Sequence, residues 1–107
     1  MAAITVSADA NGNLSLSDNG QSHCSRGEEV VWKPDNTTVS SIFSVAPKPA
    51  QPTNFWQTTP GSSGAKDYKG KISNSAPFTD WNYNIQADLI SGGKSNILDP
   101  KITVDGI

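Results

Sequence analysis

Between residues 81 and 87 the chain reads Trp-Asn-Tyr-Asn-Ile-Gln-Ala, with an apolar or aromatic residue at every second position. Side chains alternate across a β-strand with a period of two, so this stretch suits a strand with one buried face. It cannot lay an apolar stripe along a helix. The same period recurs: Ile4 and Val6 alternate with Thr5 and Ser7, Leu14 and Leu16 with Ser15 and Ser17, and Ile102 and Val104 share one face of 101–104. No window of helical length carries apolar residues at the i, i+3, i+4 spacing.

Turn signals divide these runs. Asn11-Gly12 predicts a type I′ hairpin, and Asp18-Asn19-Gly20 a second turn. Residues 28–33 read as a strand closed by Pro34-Asp35-Asn36, and 39–45, 66–72 and 80–89 as further strands. Residues 46–66 hold Pro47, Pro49, Pro52, Pro60, Gly61 and Gly64, and read as one long connection. The segment beyond this connection is too short to fold alone, so residues 1–107 are expected to form a single domain. Seven to eight short strands with turns between them predict an all-β antiparallel sandwich or barrel.

Charged residues make up only 17% of the chain and the formal net charge is −2. That balance supplies no electrostatic reason to expect nucleic acid or an anionic membrane as partner. No run approaches the ~18 apolar residues of a membrane-spanning helix. The amino terminus has neither a basic segment nor an apolar one, which favours the cytoplasm unless a leader was removed. The single cysteine cannot form an internal disulfide.

The only histidine and the only cysteine are neighbours, His23 and Cys24. On an extended segment they point to opposite faces and cannot both reach one metal ion. The reading adopted is that Cys24 is a small core residue and His23 lies on the surface. No catalytic residue, metal ligand or cofactor is assigned. Phe55-Trp56 stands out because it falls within the proline-rich connection. It either caps an open end of the sandwich or forms an exposed platform for a sugar or peptide, which Tyr68 would extend. Phe55, Trp56 and Tyr68 are therefore the candidate binding residues. Trp32 and Trp81, on strands, are expected to face the core.

The segment CSRGEEVVWKPDNTTVSSI (24–42) resembles the cupredoxin family. An inward residue (Cys24) precedes a basic residue and glycine (Arg26-Gly27), then a strand ending in an aromatic (Val30-Val31-Trp32), then a polar turn (34–37). WNYNIQA (81–87) is similar to the family's penultimate strand and DPKITV (99–104) to its last; the similar segments cover about half the chain. The resemblance implies a cupredoxin-like Greek-key sandwich. The family's first copper-binding histidine falls where this chain has Ser40 or Ser41, and its remaining ligands lie in a loop that here (88–98) holds no His, Cys or Met. A blue-copper centre needs a thiolate and two imidazoles, so the resemblance implies the fold without its redox chemistry. It extends to metal-free bacterial proteins of cupredoxin type that end in Asp-Pro-x-Ile-x-Val, here Asp99–Val104.

These readings favour a non-catalytic binding or interaction module, taking an unidentified protein or a small carbohydrate or peptide. Two alternatives stand beside it. One is a self-assembling protein or homodimer associating through a strand edge, for which 81–88, free of Pro, Lys and Arg, is the candidate. The other is a small carboxylate-dependent hydrolase. Excess Cu(II) is expected to produce neither intense visible absorption nor stoichiometric tight binding. A strong one-to-one coloured complex in a spectrophotometric titration would refute the ligand-loss reading.

Overall fold

The computed structural model describes residues 1–64 and 66–105. Ala65 of the expected connection and the last two residues of the expected domain lie outside them. The described residues form nine strands and no helix: β1 (Ala2–Ala8), β2 (Leu14–Leu16), β3 (Gln21–Cys24), β4 (Glu29–Pro34), β5 (Val39–Pro47), β6 (Trp56–Ser63), β7 (Asp67–Ile72), β8 (Asp80–Leu89) and β9 (Lys101–Val104). They build a five-stranded sheet in the order β2-β1-β4-β7-β6 and a four-stranded sheet in the order β3-β9-β8-β5. Both sheets have free ends, so the molecule is not a closed barrel.

The all-β expectation holds, but the sheets are mixed rather than antiparallel. β1 pairs in parallel with β4, and β3 with β9. The cause is a leg of chain shared between the sheets. β2 runs back along β1 in the first sheet, and the chain then crosses over and continues as β3 in the second. When β4 returns to the first sheet it lies on the free side of β1, pointing the same way. Apolar alternation reports which face is buried and carries no information on strand direction.

The crossing is made by Asn19 (φ 59) and Gly20 (φ 81), two consecutive residues in the left-handed region, where the Gly20 N–H donates to Asp18 Oδ1 at 2.8 Å. At the β1–β2 hairpin, in contrast, only Gly12 has a positive φ, of 79°. A type I′ turn needs both central residues there, so the expected Asn11-Gly12 geometry is not formed. Gly12 instead follows a turn closed by its N–H to Asp9 O at 3.1 Å.

Strand β6 lies inside the stretch expected to be a connection, which raises the strand count above the expected seven to eight. Pro60 and Gly61 hid it. It is an edge strand, where a missing N–H is tolerated, and its pairing with β7 is interrupted between Trp56 and Thr58 and between Thr58 and Gly61.

The two sheets face each other across one core. Ile4, Val6, Val30, Trp32 and Ile72 come from the five-stranded sheet, and Val39, Ile42, Trp81, Tyr83, Ile85, Ile102 and Val104 from the other. Removing each such aliphatic side chain from water contributes about 1.5–3 kcal/mol. Strand 81–88, considered as an exposed edge for self-association, falls within β8, between β9 and β5, and has no free edge. The actual edges are short (β2, β3) or broken by register shifts (β5, β6), features that blunt edge-to-edge pairing.

Gly70 on β7 has no room for a side chain: a Cβ there would lie 2.9 Å from Trp56 Cζ3 and 3.1 Å from both Pro60 Cγ and Thr58 O. Gly70→Ala is expected to lower stability by about 1–3 kcal/mol in urea denaturation. Gly61→Ala, whose Cβ meets only Thr59 O at 3.9 Å, is expected to change it by less than about 0.5 kcal/mol.

Candidate functional site

The left-handed backbone of Asn54 (φ 59) and the bonds from Asn54 Nδ2 to Ser75 Oγ (2.8 Å) and from Ser73 N to Phe55 O (3.0 Å) turn the chain inward just before β6. Phe55 is consequently only 1% exposed. Its ring lies 5.3 Å from that of Trp56 and 6.1 Å from that of Trp81. Trp56 is half-buried and sits edge-on to Trp81, with centroids 5.0 Å apart. An exposed Phe55-Trp56 platform is therefore not formed, because both rings complete the core at one end of the sandwich. Tyr68 is not drawn into this group. It packs on the core from β7 and donates its hydroxyl to Phe43 O at 3.1 Å, tying the two sheets together. Trp32 and Trp81 face the core as expected.

His23 and Cys24 lie on opposite faces of β3, the imidazole exposed and the thiol buried. His23 Nδ1 is 2.9 Å from Asp105 Oδ2. Burial, helped by the charges of Glu28 and Asp18, pushes the Cys24 thiol up from 9.0 to about 12. Among the described residues, no three His, Cys, Asp or Glu side chains converge as a metal-holding group.

The end of the sandwich opposite Phe55 is organised by carboxylates. In the β4–β5 turn, Asp35 Oδ1 accepts from the N–H groups of Thr37, Thr38 and Val39, and Oδ2 accepts from the Thr38 hydroxyl at 2.7 Å. Desolvation, the largest single influence, would raise Asp35, but the hydrogen bonds together outweigh it and hold the group at about 2. Asp9 does the same in the β1–β2 turn. Its Oδ1 takes the N–H groups of Asn13 and Asn11, which pull its carboxyl below the usual range. Such Asx geometry is the usual service of aspartate in turns.

Ser40 and Ser41, where the resemblance places the first copper ligand, lie against the start of the β8–β9 segment. Ser41 Oγ donates to Asp88 Oδ2 at 2.8 Å, Lys94 Nζ to Asp88 Oδ1 at 2.7 Å, and Ser40 Oγ to Asp88 O at 3.1 Å. The Lys94 ammonium and then the Ser41 hydroxyl hold Asp88 below its ordinary value. Asn96 anchors the same segment to the β1–β2 turn through Asn96 N to Gly12 O (2.9 Å) and Nδ2 to Asn13 Oδ1 (2.8 Å).

Between these pinned loops lies a groove of about 450 Å³, lined among others by Ala8, Asp9, Thr37, Leu89, Ile90 and Ser91. The Ile90 N–H donates to Thr38 O at 3.0 Å, yet its side chain is 53% exposed. Sequence reasoning did not single out Ile90. The available signal was the pair Leu89-Ile90 ending an alternating strand, because two adjacent apolar residues cannot share one face. No family model matches this chain, and no curated protein matches it.

The buried thiol makes a direct test. A thiol reagent at pH 8 is expected to leave Cys24 unlabelled in the native protein and to label it in denaturant. Ionisation of the unfolded thiol opposes folding, so stability should hold below about pH 9 and fall as pH rises toward about 12. Tyr83, also raised by burial, adds to the loss only above its ordinary value of 10.0. Cys24→Ala should therefore delay the onset from about pH 9 to about pH 10, read by urea denaturation across that range.

Proposed function

We propose that this protein is a non-catalytic binding module of cupredoxin-like architecture, and that its loop-end groove receives a short segment of a partner protein. The placement of Ser40 and Ser41 beside the 88–98 segment supports the cupredoxin-like reading, as does the leg of chain shared by the two sheets. The observation that carries the binding reading is the groove itself. An isoleucine stands half-exposed among loops that hydrogen bonds hold rigid on both sides. Binding residues placed on loops over a rigid scaffold lose little conformational entropy when a ligand arrives.

The chemistry of the walls defines the occupant. Ala8, Leu89 and Ile90 offer apolar surface, while Asp9 keeps a carboxylate at the rim and, among the described lining residues, no cation accompanies it. A peptide with an apolar side chain next to Lys or Arg is complementary to both. The titratable groups with shifted behaviour serve the fold. Cys24 and Tyr83 are held neutral in the core, and Asp9 and Asp35 are held ionised by turns.

Selection of displayed random peptides on the immobilised protein is expected to enrich apolar–basic sequences. Ile90→Asp should weaken their binding by at least about tenfold in titration calorimetry, in keeping with loss of a central apolar anchor. Equal enrichment on wild type and Ile90→Asp would overturn the reading.

A further inference from the structure

A second constellation lies on the outer face of the five-stranded sheet, away from the loop-end groove. The register shift between Thr58 and Gly61 places an extra residue of β6 opposite β7, because Thr58 pairs with Lys71 and Gly61 with Lys69. Bulges of this kind open a sheet locally and re-aim its side chains. Here the result is a depression of about 280 Å³, walled by Thr58, Thr59 and Ser62 from β6 and by Lys69 and Lys71 from β7, with Glu29 of β4 at its margin.

The charges in this depression are unequally matched. Glu29 stands directly opposite Lys71 in the β4–β7 register. Its carboxylate nevertheless reaches diagonally to Lys69, with Oε2 3.4 Å from Nζ. Among the described residues Lys71 joins no ion pair, so two ammonium groups and one carboxylate share the depression. The excess positive charge stands on a molecule whose formal net charge is −2. Thr58, Thr59 and Ser62 line it as well and present hydroxyl groups, which can donate to an anionic oxygen.

We propose that the β6–β7 depression binds a small oxyanion, the carboxylate, sulfate or phosphate group of a soluble ligand. Lys71 supplies the main charge, Lys69 shares its own with Glu29, and the β6 hydroxyls complete the donors. The proposal is independent of the loop-end groove, and failure of one leaves the other standing.

The test is an NMR titration of isotopically labelled protein with sodium phosphate, sodium sulfate and sodium glucuronate, each against sodium chloride at matched ionic strength. Saturating shifts confined to β6, β7 and the start of β4 are expected, with dissociation constants on the order of 1 mM. Lys71→Gln should weaken binding roughly three- to tenfold, the range of a charge-assisted contact at a solvated site. Glu29→Gln should tighten it by a similar factor, since it removes the competing carboxylate. Lys71→Arg should restore wild-type affinity, which separates loss of charge from loss of structure. The tightest of the three anions names the ligand's chemical class. Unsaturable shifts for all three, an unchanged curve in Lys71→Gln, or weaker binding in Glu29→Gln would overturn the proposal.

Discussion

A buried aromatic pair links the two sheets at the heart of the sandwich. Trp32 of β4 donates its indole N–H to the hydroxyl of Tyr83 on β8 at 3.0 Å, with both side chains fully buried. Their rings meet edge-on with centroids 5.6 Å apart. A buried indole or phenol without a partner costs folding free energy, so each of these residues needs the other in place. Because one belongs to each sheet, their bond ties the sheets together inside the core, as the Tyr68 hydroxyl does through Phe43 O. Trp81 stacks on Tyr83 at 5.2 Å, and Trp56 and Phe55 close around Trp81. Such aromatic pairs add about 0.5–1.5 kcal/mol apiece beyond the area they bury.

This cluster draws Phe55 and Trp56 of the proline-rich segment inward. Phe55 and Trp56 carry the chain into the core, and β6 is delivered to the free edge of β7 immediately afterwards. Gly70 is the accommodation on the other side, since the Trp56 ring occupies the space a side chain would need. Pro60, whose ring also lies over Gly70, falls within the register shift between Thr58 and Gly61. The depression beside Lys69 and Lys71 lies at the same register shift, on the outer face of the sheet.

The opposite end is organised by local polar chemistry. Asp9 and Asp35 satisfy backbone donors of their own turns, Asp88 accepts from Ser41 and Lys94, and Asn96 links the 88–98 segment to the β1–β2 turn. The loops around Ile90 are consequently shaped before any ligand arrives. One end of the core is filled by aromatic rings, and the other is bounded by loops pinned through aspartate and asparagine.

Much of this was legible in the letters. Alternation at 81–87 located β8 and its buried face, Trp32 and Trp81 read as core, and adjacency on a strand separated His23 from Cys24. Those inferences rest on the two-residue period of extended chain, a local property. For Phe55-Trp56 the letters offered a buried cap or an exposed platform, and the structure forms the cap. Strand direction, the edge or interior position of β8 and the strand hidden behind Pro60 were not legible. Each depends on which distant segment lies alongside, and no local pattern encodes that neighbour. The candidate groove is similar: Asp9, Thr37 and Ile90 are far apart in the chain and meet only because the β1–β2 and β4–β5 turns and the end of β8 share one end of the sandwich. By itself, then, the order of residues determined the all-β character and the faces to be buried, since polypeptide geometry makes both local. Only tertiary packing decided the mixed sheets, the inward turn of Phe55 and the exposure of Ile90, because these follow from long-range pairing and from the room left around Trp32 and Tyr83.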